Sequence, residues 1–263
     1  MRRTARRPAS RPLRRLARRA LMPCAILLAS LATATATPPD VIVAAAYDEP
    51  TGRYAHGVLG DDLEWGALRL TVDKCTGCAA SDIRDVVILL PETRVFEDLA
   101  PRLLDLDRDG LPEVVVVESD ASLGARLAVY DETGLVTATP FIGSAFRWLA
   151  PLGAADLDGD GAVEIAYIDR PHLARTLRVW RYRDRDLTEV ASLSGLTNHR
   201  IGEAFISGGI RECGEGPEVI TADAAWARVI ATRLTGGGLA ARDIGAFVGQ
   251  ASFADALACR ALR

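Results

Sequence analysis

No stretch of the 263-residue sequence keeps apolar residues at a 3.6-residue period long enough for a substantial helix, which removes helix-built folds. No apolar run reaches the ~20 residues that a membrane-spanning helix needs. A G-x-S-x-G elbow is missing, and with it the serine nucleophile that such a strand-to-helix turn presents. Histidine is scarce. His56, His172 and His199 lie scattered along the chain, without the H-x-x-x-H or H-x-H spacing of a zinc site. Each is expected to cap a turn or face solvent, and no catalytic or cofactor-binding residue is assigned.

Acids are absent from the first 36 residues, which hold nine arginines. The apolar run "LMPCAILLASLATATA" follows and ends on the small-residue site Ala34-Thr35-Ala36. These are the parts of a secretory signal peptide, so residues 1–36 are expected to be removed and the protein exported, to the periplasm or out of the cell. No transmembrane segment is expected in the remainder. Of the 31 basic residues, 22 then stand against 35 acids, a net charge of −13 on residues 37–263. A domain so acidic lacks the positive field that nucleic acid or anionic lipid requires, and suits cations instead.

Cys75, Cys78, Cys213 and Cys259 survive that cleavage, an even number that favours disulfides in an exported chain. The "CTGC" pair lies in a polar loop with no periodic helix after it, which argues against a redox motif of the C-x-x-C kind.

What is present is a series of short apolar runs punctuated by Gly, Pro and Asp: "VIVAAAY", "ALRLTVD", "DVVILLP", "EVVVVES", "ARLAVYD" and "EIAYID". Each has strand length, and the set reads as an all-β sandwich, barrel or propeller. Internal repetition selects among these. The segment from Leu99 matches the segment from Leu149, each running strand, acidic loop, apolar strand, third strand, turn and fourth strand. A third copy places Glu218 in register with Glu164, and a divergent earlier copy begins at "HGVLGDDLEWG". Units of four strands and about 50 residues have the size of a propeller blade. The tail from Ile244 to Arg263 is expected to complete a neighbouring sheet. "EVVVVES" reads as an inner strand covered on both faces, and "LRVWRYRDRD" as an outer, solvated one.

Two stretches carry chemistry, "DLDRDGLPE" from Asp105 and "DLDGDGAVE" from Asp156. Calcium takes six to eight oxygens, chiefly carboxylates and carbonyls. The candidate ligands are Asp105, Asp107, Asp109, the carbonyl of Leu111, and Glu113 in the first loop. In the second they are Asp156, Asp158, Asp160, the carbonyl of Ala162, and Glu164. Gly110 and Gly161 supply the positive φ that curls a chain around an ion. An EF-hand begins alike but needs a glutamate at its twelfth position and flanking helices; Val116 and Tyr167 stand there, between strands. An Asp-Gly turn explains the end of each loop but not the two aspartates before it, whose mutual repulsion calls for a cation. Two Ca2+ ions are therefore expected. In the third copy, "IRECGEGPE", the matching positions are Ile210, Glu212 and Gly214, so that loop is expected to be metal-free. Cys213 lies inside it, with Cys259 a candidate partner, which leaves Cys75 for Cys78.

On these loops the chain resembles the FG-GAP / VCBS repeat family, the bladed repeats of the integrin α-subunit head. The resemblance implies a calcium-binding β-propeller, with the ions held by the residues just named, between the first two strands of a blade. The family ring usually has seven blades, which residues 37–263 are too few to supply; four or five four-stranded blades are expected over that span. It further implies a non-enzymatic module that recognises a protein or glycan ligand through its blade loops. Two other readings stand beside it. One is a calcium-dependent propeller hydrolase, with "RYAHGVLGDD" and "TNHRIGE" lining a pocket. The other is an assembly module whose ring a partner chain completes.

Overall fold

A computed structural model describes residues 40–262 apart from 61–62 and 76. The expected signal peptide lies outside the described residues. Within them the protein is all-β, with seventeen strands and one helix.

The first sheet joins β1 (Val41–Thr51), β2 (Glu64–Asp73), β3 (Ile83–Leu89), β4 (Arg94–Phe96), β5 (Arg102–Leu104), β6 (Glu113–Asp120), β7 (Gly124–Asp131) and β8 (Gly134–Ala138). Its spine runs β1-β2-β4-β6-β7-β8, with β3 beside β2 and β5 beside β6. The second sheet is a four-stranded antiparallel meander of β9 (Leu149–Ala155), β10 (Val163–Asp169), β11 (Thr176–Arg183) and β12 (Asp186–Ser194). The third holds β13 (Leu196–Thr197), β14 (Gly209–Glu212), β15 (Pro217–Asp223), β16 (Arg228–Thr235) and β17 (Gly238–Ala246). The repeat thus appears as β5–β8, β9–β12 and β14–β17, while the divergent earlier unit is fused into the first sheet through the three-residue β4.

Strands β6 and β10 show why the repeat folds as it does. Both are buried at every residue, and successive side chains of a strand point to opposite faces. Val115 and Val117 of β6 enter one core, which they share with Ile165 and Tyr167 of β10. Val114 and Val116 enter a second core with Leu68, Leu70 and Phe96. Ala166 and Ile168 of β10 enter a third, with Val219 and Leu234. The second sheet is therefore sandwiched between the first and the third, the core around Val114 lies within the first sheet itself, and each buried Val or Ile contributes on the order of 1.5–3 kcal/mol.

Two expectations are corrected. Only Ile244–Ala246 of the tail joins a sheet, as the end of β17; Gln250–Leu257 forms helix α1, which sets Phe253 and Ala256 against Ile220, Val229 and Ala231. An eight-residue helix is too short for its period to stand out in sequence. "LRVWRYRDRD" is not an outer strand, because β11 lies between β10 and β12 with Leu177, Val179, Trp180 and Tyr182 buried. Its arginines face buried acids, described next. Among the described residues, no helix is long and apolar enough to cross a membrane.

Candidate metal centre

The two acidic loops join β5 to β6 and β9 to β10, and they share one hydrogen-bond pattern. The first aspartate accepts from the glycine N–H five residues on: Asp105 from Gly110 at 3.1 Å, Asp156 from Gly161 at 3.1 Å. The third aspartate accepts two residues on: Asp109 from Leu111 at 2.8 Å, Asp160 from Ala162 at 2.9 Å. This fixes the turn that carries the Leu111 and Ala162 carbonyls. The glutamate reaches back from the following strand, Glu113 to the Leu106 N–H at 2.9 Å and Glu164 to that of Leu157 at 2.8 Å. Leu106 and Leu157 are buried beneath and anchor the loops. Gly110 and Gly161 have φ of +88° and +91°, and a side chain there would meet no neighbour, so backbone conformation alone requires glycine.

Carboxylate oxygens of Asp105, Asp107 and Asp109 all lie within 4.8 Å of one another, as do those of Asp156, Asp158 and Glu164. Glu113 and Asp160 lie outside these close groups. Burial holds Glu113 above its ordinary carboxylate range, with Asp107 adding to the effect. The donors are oxygen throughout, a set that suits a hard divalent cation better than one that prefers nitrogen or sulfur.

The surroundings of the loops differ in a way the sequence reading missed. In the first, Asp105, Asp107 and Asp109 make no ion pair among the described residues. Val114 pairs with Tyr130, so the residue across the ladder from Glu113 is Asp131, another acid, whose partner is Arg185 at 2.8 Å. In the second loop that ladder position is Arg181. Its guanidinium bonds Glu164 and Asp158, each at 2.5 Å, and lies 3.1 Å from Asp160. These bonds, that to Glu164 first, raise its pKa further, while Asp160 is lowered by the Ala162 N–H and then by Arg181 and Arg183.

The third copy carries this furthest. Glu218 is buried and receives Arg211, Arg233 and Arg242 at 2.6, 2.9 and 2.8 Å. Burial pushes the Glu218 pKa up, but the three guanidinium groups outweigh it and bring it to about 2. Where the third loop lacks aspartates it is tied by the Cys213–Cys259 disulfide; the second bond joins Cys75 to Cys78. The available signal for Arg181 and Arg233 was their place on the strand after the glutamate, which has meaning only once strand register is known; Arg211 and Arg242 come from β14 and β17.

Residues 105–167, which contain both loops, match the family model of the FG-GAP-like repeat. The class defined by fold and loops is thus an all-β protein with internal repeats, and the segment 105–167 is similar to the FG-GAP-like repeat. Among curated proteins, none matches the sequence.

Proposed function

We propose that the protein is an exported calcium-binding propeller of four or five blades. In this reading it serves as a binding or structural module for a protein or glycan rather than as an enzyme. The FG-GAP-like match over residues 105–167 supports a module of this kind. Two disulfides are consistent with export. Asp105, Asp107, Asp109, Leu111 and Glu113 hold one ion; Asp156, Asp158, Asp160, Ala162 and Glu164 hold the other.

The observation that carries the metal reading is the first loop. Three carboxylates crowd within 4.8 Å and, among the described residues, no arginine pairs with them, although arginines pair with the acids of the other two copies. A bound divalent cation supplies the missing charge and orders the loop without acting as a switch, since exported calcium modules bind at roughly 10⁻⁴–10⁻³ M. Calorimetry of residues 37–263 tests this. Millimolar calcium should raise the unfolding temperature and EDTA should reverse it. An unfolding curve unmoved by either overturns the metal reading.

A further inference from the structure

Far from one another in sequence, His56, His172 and His199, the chain's three histidines, meet around one cavity. His56 and His172 line it, together with Phe146, Arg147, Trp148 and Arg170. His199 lies behind His172, with ring centroids 5.1 Å apart.

The hydrogen bonds determine which ring nitrogens are already used and which are left over. Nδ1 of His56 lies 2.5 Å from Glu97 Oε1. Glu97 is wholly buried; its other oxygen accepts the Ser119 hydroxyl, and its carbonyl accepts the Trp148 indole N–H at 2.8 Å. A carboxylate only accepts, so Nδ1 of His56 carries the proton and Nε2 has no partner among the described residues. His199 Nε2 lies 2.8 Å from the Glu203 carbonyl, so it donates and Nδ1 accepts. His172 Nε2, 3.0 Å from that Nδ1, must be the donor, which leaves a lone pair on His172 Nδ1. Burial, with positive neighbours adding, holds His172 down to about 4, so this arrangement persists at neutral pH.

The walls complete a ligand site in miniature. Arg147 lines the cavity without an ion pair among the described residues, whereas Arg170 is tied to Asp169. No carboxylate lines the cavity. Phe146 is 47% exposed, and its ring lies 5.5 Å from that of His56. It sits at φ +53°, with its N–H held by the Tyr54 hydroxyl at 3.0 Å. A bulky side chain in that region is strained, and such strain gathers at ligand clamps. The space is small, about 30 Å³, far below the ~300 Å³ at which drug-sized pockets begin, and it opens to solvent, so only part of a small ligand lies inside it.

We propose that this cavity binds a small α-hydroxy carboxylate. Its carboxylate pairs with Arg147, its hydroxyl donates to the free nitrogen of His56 or His172, and its short carbon chain lies against Phe146 and Trp148. The site is separate from the acidic loops and does not depend on calcium.

The test is a titration of the protein, ¹⁵N-labelled at histidine, with lactate, and with acetate, which lacks the hydroxyl. Lactate should shift the ring nitrogens of His56 and His172 saturably and bind about tenfold more tightly than acetate, a difference of ~1.4 kcal/mol. Arg147→Ala should abolish saturation. His172→Gln, which can still donate to His199, should weaken lactate but not acetate. Unfolding temperatures of both variants establish that they fold. The proposal is overturned if lactate gives no saturable shift, if acetate matches it, or if folded Arg147→Ala binds unchanged. Repeating the titration in EDTA separates it from the metal reading, because lactate binding should survive.

Discussion

The guanidinium of Arg108, fourth residue of one acidic loop, lies 3.1 Å from Asp156, the first aspartate of the next. The second loop therefore meets arginine from two directions, Arg108 and Arg181, while the aspartates of the first meet none among the described residues. Under the calcium reading the two sites are unequal, because an ion entering the second must compete with charge already in place.

Arg181→Met should tighten the weaker of two calcium sites by about tenfold, roughly 1.4 kcal/mol, and leave the stronger unchanged. Isothermal titration of the wild type and the variant reads both. Two equal sites in the wild type, or a variant indistinguishable from it, would refute the competition.

Asp107→Asn removes a carboxylate from the group that has no arginine to replace the ion. At calcium a hundredfold above the dissociation constant, one site stabilises the fold by ~2.7 kcal/mol, and the variant should forfeit most of this. Without calcium, relief of repulsion should leave it as stable as the wild type or slightly more so. Thermal unfolding with and without EDTA gives the four values needed.

Glu218 makes a prediction in acid. Its pKa of about 2 in the folded protein lies below the ordinary ~4.3, so the ionised form stabilises the fold. That contribution, on the order of 3 kcal/mol, is complete above the ordinary value and is lost as pH falls through about 2. Glu218→Gln should flatten the stability profile in this window. It should also destabilise the protein at neutral pH, because it strands Arg211 and its companions.

His172 acts in a higher window and through the opposite charge form. Its folded pKa of about 4 lies below the ordinary ~6.5, so the unfolded chain takes up the proton first. Stability should fall as pH drops from about 6.5 to about 4 and level off below that. His172→Gln should reduce this slope, the remainder coming from His199, which burial also lowers, while leaving the one due to Glu218. Urea unfolding at stepped pH distinguishes the two.

The Cys213–Cys259 bond closes a loop of 46 residues and ties the third acidic-loop equivalent to the chain beyond α1. Replacing both with serine should cost about 2–4 kcal/mol. Chemical denaturation in oxidising buffer measures it, and a midpoint equal to the wild type's would contradict the prediction.

What the sequence disclosed followed from locality. The acidic loops were legible because their carboxylates sit within nine residues, and the unbroken apolar run of "EVVVVES" announced a strand covered on both faces. Arg181 could not be assigned, because its meeting with Glu164 depends on the register of the β10–β11 hairpin, which neither residue's own segment fixes. The histidines were harder still. Each is unremarkable in its own segment, and they converge only when the β1–β2 connection, the β10–β11 turn and the stretch after β13 are folded together. Helix α1 was missed because its buried side is chiefly Phe253 and Ala256.

From Glu113 to Glu164 to Glu218, covalent cation replaces borrowed cation step by step: no arginine, one, then three. Under the calcium reading, scarcity of that ion would be felt unevenly along the molecule. The β5–β6 loop would slacken first, while the disulfide-tied third unit, which carries its own positive charge, would hold its shape.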